Sequence, residues 1–355
     1  MLRKVLWVKL AALLAVMMVL AGCSAKPSAK ELLQRAAEKS AQIESFAFSG
    51  SLKLDELDVP MEDIPAEQAQ QIANLMKSAE LSWKGAYRAD PMLAEITLNI
   101  AIKGDMEINF SLPIVINAEK IWIKVPNIPM LPLPPDLVDK FVEIDLRQLA
   151  EEQGTTIPDF AVLMKLTQEL NNLVFKHLDE ETFLSTPKKS EADLPENADV
   201  KDVVKLTITK EQVKPLIETF VKKIGPEAIE LLSKDEYREP LGLEQSELEA
   251  VKEQLASYSE SELAKELESF ESEVDTFDVT ALLGINRNGF ISYADFGLRV
   301  TGRDQNGNAG KIGLKLVMEQ TNINGDVTFE YGEPNDVLTL EDLTEMFQSE
   351  TDLSM

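Results

Sequence analysis

Among 355 residues there is one cysteine and one histidine. A lone thiol permits no disulfide within the chain, so stability in an oxidising compartment has to come from burial. A lone histidine excludes His-rich metal sites and leaves catalysis to Ser, Asp, Glu or Lys. No G-x-S-x-G elbow, Walker loop or dinucleotide fingerprint occurs. Basic residues are also scarce, 35 Lys and Arg against 62 Asp and Glu, for a formal charge of -27. Such a chain is a poor partner for nucleic acid, whose binding rests on phosphate neutralisation. It also repels anionic lipid head groups, so the body is expected to stand off a membrane surface. No internal repeat at a fixed period is found.

What remains, 44% apolar and 27% charged residues, is an ordinary globular mixture able to form a sizeable core. One long apolar run exists, Leu10 to Leu20, preceded by Arg3, Lys4 and Lys9. A basic start followed by such a run reads as a secretory signal, and the run is too short to span a bilayer.

The run ends in Leu20-Ala21-Gly22-Cys23, which resembles the lipobox of bacterial lipoproteins. The resemblance implies that residues 1–22 are removed and that the Cys23 thiol receives diacylglycerol, anchoring the mature chain on the extracytoplasmic face of a membrane. Ser24 stands where the lipoprotein pattern places an inner-membrane retention aspartate. With no disulfide pair, the expected address is the outer leaflet of the plasma membrane of a single-membrane bacterium. Residues 23–30 then form a lipidated tether, and residues 31–355 a single domain.

Ser28 stands three residues before Glu31 in a capping-box arrangement, and Leu32, Leu33, Ala36, Ala37 and Ile43 follow at helical spacing. Strand alternation begins at Phe46, Phe48, Leu52 and Leu54. A helix is expected over residues 61–77. Alternation then resumes through Leu81, Trp83 and Tyr87; Ile96, Leu98, Ile100 and Ile102; Met106, Ile108, Phe110 and Leu112; and Ile121, Ile123 and Val125. Short connections between these runs imply antiparallel neighbours. Prolines 126, 129, 132, 134 and 135 exclude a central strand there, leaving a loop or edge whose leucines pack on the sheet or form a lip over a pocket.

Phe141 to Leu146 reads as a strand and Asp159 to Thr182 as a long amphipathic helix with His177 just past its apolar stripe. Lys188 to Asp199 reads as a flexible surface loop. Val204, Leu206 and Ile208 form a strand leading into a helix at Glu211 to Ile224, which Gly225-Pro226 is expected to break. Further helices fill Glu227 to Phe270, with Ser246-x-x-Glu249 as a capping box and an inward stripe of Leu248, Val251, Leu255, Leu263 and Leu267. Strands return at Phe277 to Leu283, turn at Asn286-Arg287-Asn288-Gly289, and continue at Phe290 to Val300, Ile312 to Met318 and Val327 to Tyr331. A last helix follows Thr339.

Asp304-x-Asn306-x-Asn308 begins like a calcium loop, but Ala309 and Lys315 occupy the positions that need glycine and glutamate, so it reads as a hairpin tip. His177, beside Asp179 and Glu180 at a helix end, reads as a dipole partner and not a general base. The acidic run Glu244 to Glu273 reads as a solvated helical face. No catalytic group, metal ligand set or cofactor emerges.

The pattern is thus α+β: a curved antiparallel sheet of about eleven strands by periodicity, an open half-barrel covered on one face by helices. An acylated cysteine, a leading helix and a half-barrel sheet resemble the LolA/LppX-type lipoprotein carriers, whose open barrel and helical lid enclose an apolar cavity. The helical stretch of residues 210–270 is an insertion beyond that pattern. The resemblance implies that Trp83, Phe110, Ile123, Phe277, Phe296 and Leu316 face the interior between sheet and helices. Two non-enzymatic functions are expected from this: a tethered carrier or sensor of a lipid or other apolar ligand, or a filled-core protein displaying an acidic surface to a cell-envelope partner. A roomy apolar space favours the first and a close-packed interior the second.

Overall fold

A computed structural model describes residues 26–58, 64–103, 108–128, 133–152, 160–258, 260–303 and 307–353. Cys23, the rest of the apolar N-terminal run, Met106, Asp304 and Asn306 lie outside the described residues. Among the described residues the fold is α+β, built on one open sheet of twelve strands. The strands are β1 (Ser45–Asp58), β2 (Ala79–Ala89), β3 (Met92–Ile102), β4 (Ile108–Asn117), β5 (Lys120–Lys124), β6 (Phe141–Asp145), β7 (Leu184–Ser185), β8 (Asp202–Thr209), β9 (Val274–Ile285), β10 (Ile291–Arg303), β11 (Ala309–Thr321) and β12 (Val337–Leu338). Their spatial order is β12-β6-β5-β4-β3-β2-β1-β11-β10-β9-β8-β7, with β12 parallel to β6 and the other pairs antiparallel.

The strand β1 therefore joins the two meanders. It pairs with β2 on one side and with β11, from the far end of the chain, on the other. The expected strand at Val327 to Tyr331 is corrected: that segment is not in the sheet, and the edge strands β7 and β12 raise the count to twelve. The cause is Glu95, whose buried carboxylate accepts the backbone N–H groups of Glu330, Tyr331 and Gly332 at 2.8, 2.9 and 3.2 Å. Those amides are satisfied without strand pairing. Residues 322–336 instead form a strap across one side of β3–β6, where Phe329 and Tyr331 pack with Val337 on Leu93, Val115, Trp122 and Phe141.

The helices gather mainly at the β7–β10 end of the opposite side, here called the inner face. Helix α1 (Ala29–Ser40) starts at Ser28, whose hydroxyl accepts the Glu31 amide at 3.2 Å as the cap pattern requires. Its Ala29, Leu33 and Ala36 are buried with Phe183, Leu184, Val204 and Ile285. Helix α2 (Ala66–Ser78), later than the expected start, packs on β1 and β2. Helices α3 (Leu146–Glu152) and α4 (Phe160–His177) follow, and the expected helix to Thr182 stops at His177 before a short turn, α5 (Glu180–Phe183).

The expected break at Gly225-Pro226 does not occur. Helix α6 (Lys210–Thr219) passes through a π-turn, Phe220–Ile224, straight into α7 (Gly225–Leu232). The wider turn drops one hydrogen bond, which is what proline cannot donate, and gives its ring room. After α8 (Asp235–Arg238), helix α9 (Gln245–Ser257) is capped by Glu244 with Glu247, two residues ahead of the expected Ser246 box. Leu248 is buried, but Val251 is 47% exposed and leaves the expected stripe. Helix α10 (Glu260–Glu273) buries Leu263 and Leu267 against Val213, and α11 (Leu340–Leu353) follows Thr339, whose hydroxyl accepts the Asp342 amide at 3.1 Å.

Residues 188–199 are also corrected, from a flexible loop to a pinned cover. Ala198 and Val200 are buried against Val203 and Tyr293, and Lys189 donates to the carbonyls of both at 3.4 and 2.9 Å. Among the described residues no helix is long and apolar enough to cross a membrane.

Candidate functional site: an open apolar sheet face

Directly paired residues of antiparallel strands share a face, so the register assigns each side chain to one side. One cross-strand row runs Phe110, Ile100, Leu81, Leu52, Leu316, Phe296, Ala281, Leu206, Leu184. A neighbouring row runs Leu112, Leu98, Trp83, Gly50, Met318, Ala294, Leu283, Val204. A third runs Val142, Ile123, Ile114, Ile96, Gly85, Phe48. These rows belong to the inner face, and from β6 to β10 they contain no charged residue.

Strand sequence explains the polarity of the two faces. In β3, Ile96, Leu98, Ile100 and Ile102 point inward while Glu95, Thr97 and Asn99 point outward. The outward set is paired or covered: Glu80 lies 3.1 Å from Lys53 and 3.7 Å from Lys103, which hold its carboxyl below the usual range, and Arg299 meets Glu56 at 3.4 Å. A recess of about 550 Å³ on this outer side, under residues 187–193, is lined by charges that pair across it, as in Lys315–Asp295 at 3.2 Å. Beside it Tyr293 is buried next to Asp295 and Asp193, and burial first, then those carboxylates, pushes its hydroxyl up to about 12.

The inner set is different, because its apolar members stay accessible. Leu52, Leu81, Trp83, Leu98, Ile100, Phe110, Ile114, Phe296 and Leu316 are all half-buried, and Met318 is 38% exposed. Two glycines let aromatic rings lie flat on this surface. A Cβ on Gly50 would come within 2.5 Å of the Trp83 indole, and one on Gly85 within 2.5 Å of the Phe48 ring and 2.1 Å of the Glu95 carbonyl oxygen. Phe48 also stacks on Phe46 at 5.6 Å, and Phe46 on Tyr87 at 5.4 Å, with burial raising the Tyr87 hydroxyl above its ordinary value.

All six residues singled out from the sequence lie on this one face. Phe277 sits under helices, edge-on to Phe270 at 5.7 Å and beside Leu263 and Leu267. Trp83, Phe110, Ile123, Phe296 and Leu316 sit on its more open part. Where α1 and α4 meet β9 and β10, a groove of about 310 Å³ opens between helices and sheet. Periodicity marks the strands and the resemblance implies their shared face, but neither shows Gly50, Gly85 or the groove; a glycine opposite an aromatic on the neighbouring strand is the available signal.

Other sequence candidates fall elsewhere. His177 ends α4 as expected of a dipole partner, and its Nε2 also lies 2.8 Å from Glu227 Oε1, where Lys176 and His177 together hold the Glu227 carboxyl below its usual range. No S-x-x-K is singled out from the sequence; the one spacing of that kind here, Ser185-Thr186-Pro187-Lys188, places Ser185 in the edge strand β7, and Lys188 pairs with Glu191 at 3.5 Å. The two are not presented on one helical turn.

No protein-family model and no curated protein sequence matches the chain. Among solved structures, a β-barrel-like protein of a domain of unknown function, DUF1849, from Brucella abortus is similar at 9% identity and a TM-score of 0.20, over 78% of this chain and 98% of that one. A likeness of that size carries no argument about fold or function.

Proposed function

We propose that this chain is a lipid-anchored extracytoplasmic protein that holds an acyl chain or another apolar ligand against the inner sheet face, without catalysing a reaction on it. The observation that carries the proposal is the accessible apolar row from Phe110 to Phe296, which crosses six strands without a polar side chain. At about 4.8 Å per strand it spans about 24 Å, long enough for an extended acyl chain. Contiguous apolar patches beyond a few hundred Å² are rare on monomers and mark binding surfaces. The anchor is the diacylglycerol on Cys23, and the acidic body keeps the protein from lying flat on anionic lipid.

A second reading, an interaction protein for a cell-envelope partner, is favoured by Val251, 47% exposed on a helix in the acidic stretch Glu244 to Glu273. Native mass spectrometry of residues 24–355 purified from bacterial lysate separates the two. Co-purifying lipid is the expected result; a lipid-free protein that also fails to bind a fluorescent fatty acid would leave the second reading. The anchor is tested separately by metabolic labelling with an alkyne fatty acid, which Cys23→Ser should abolish. Equal labelling of both chains would overturn the membrane address.

A further inference from the structure

The groove between α1, α4 and the sheet has a composition unusual for this chain. Although 27% of all residues are charged, none of the described residues lining the groove is. Its floor is apolar, with Leu33, Phe175 and Leu283, and its rim carries neutral hydrogen-bonding groups, the hydroxyls of Ser40 and Thr167 and the amides of Gln168 and Asn171. The hydroxyls donate to the carbonyls of Ala36 and Leu163 at 2.9 Å each, which leaves their oxygens able to accept. Leu283 is in the same cross-strand row as Met318, Gly50 and Trp83. The groove is thus the helix-covered end of the open face, and Trp83 lies four strands away, about 19 Å.

Resting on the carrier reading, we infer that the groove receives the head of the ligand and that this head is uncharged and hydroxyl-bearing, as in an acylglycerol or a glycosylated diacylglycerol. An ionised head would be desolvated in the groove against side chains that offer no counter-charge, which is costly. A hydroxylated head finds donors and acceptors of matching kind in Gln168 and Asn171. The tail then runs from Leu283 over Met318 towards Trp83. At about 310 Å³ the groove is at the small end of ligand pockets, the size for glycerol or one sugar ring.

The test compares tail-labelled diacylglycerol with phosphatidic acid of the same tails, binding to the full chain in detergent. The neutral lipid is expected to bind about tenfold more tightly or better, a difference of about 1.4 kcal/mol. Overall protein charge would bias such a comparison, so a cation is then placed at the rim with Gln168→Lys, and a control cation on the exposed surface of α2 with Gln71→Lys. Gln168→Lys should reverse the preference and Gln71→Lys should not. If Gln168→Lys does not fold, Asn171→Lys at an exposed rim position serves in its place. Equal binding of both lipids, or the same response to rim and control cations, overturns the head-group assignment and leaves the carrier reading standing. Binding of neither lipid removes the carrier reading itself, and the groove's role with it.

Discussion

Truncating Phe110 and Leu267 in parallel tests whether the inner face is open. Leu267 is 5% exposed, enclosed between α10, α6 and β9, so Leu267→Ala removes buried methyl groups and leaves a hole that its neighbours cannot fill. Such changes cost about 2 to 5 kcal/mol. Phe110 is larger, and in a closed core Phe→Ala would cost about 3 to 5 kcal/mol. Phe110, however, is only half-buried, so its truncation is expected to leave no enclosed cavity behind. What remains is the transfer term, about 1.5 to 3 kcal/mol for complete burial of such a side chain and correspondingly less for Phe110. The smaller truncation should therefore be the more destabilising one, an inversion of the order that side-chain size predicts. Urea midpoints of delipidated wild type and both variants measure it, and titration with a fluorescent fatty acid completes it: Phe110→Ala should change probe affinity and Leu267→Ala should not. A larger loss at Phe110 than at Leu267, with no probe bound by any of the three proteins, would refute an open ligand face.

Three further outcomes follow from the same geometry. Glu95→Ala removes the acceptor of three backbone amides, so hydrogen exchange should accelerate at residues 329–332 while β3 and β4 keep their protection; unchanged exchange in the strap would show that its aromatic contacts alone hold it. Gly85→Ala should destabilise by about 1 to 3 kcal/mol in urea, because its Cβ would meet the Phe48 ring and the Glu95 carbonyl oxygen, and a neutral result would contradict that close approach. Tyr293 stays protonated in the folded protein up to about 12 against an ordinary 10.0. The unfolded chain releases this proton first, so the stability it contributes is complete below pH 10 and is lost as pH rises towards 12. Tyr293→Phe should flatten that alkaline loss, and identical alkaline denaturation curves would remove Tyr293 as its source.

Period-two alternation made most of the sheet legible, because a strand with one wet and one apolar face writes its orientation into every second residue. Phe46 to Leu54, Leu81 to Tyr87 and Phe277 to Leu283 are legible in this way, whereas a shared face for the six apolar candidates is what the carrier resemblance implies. Local cap chemistry located α1 and α11 through Ser28 and Thr339. What alternation does not encode is the partner. Val327, Phe329 and Tyr331 alternate like a strand, yet the Phe329 and Tyr331 rings pack against Leu93 and Trp122 while a remote glutamate takes the amides of Glu330 to Gly332. Pro226 reads as a stop, but the π-turn before it is visible only in the backbone. β7 and β12 have two residues each, too few to show any period. The groove is not legible in the sequence because it joins α1, α4, β9 and β10, and the helices are far apart in the chain from these strands.

The continuity of the apolar face depends on one seam. The strands β2–β6 and β8–β11 are each neighbours of strands close in sequence, whereas β1 and β11 are separated by most of the chain, and their pairing is what makes two apolar surfaces one. The pair Leu52–Leu316 sits in the middle of the row from Phe110 to Phe296. Register at this seam is guarded by an irregularity between Leu54 and Glu56, where one extra residue changes the phase of β1. Strict alternation from Leu54 would send Leu57 outward; after the irregularity Leu57 pairs with Ile312 on the inner side and is buried, while Glu56 points out to Arg299. A one-residue slip would turn Lys53 and Ser51 inward and break the apolar row at its centre. The face proposed to hold a ligand therefore exists only in the fully paired sheet, and neither meander alone presents it.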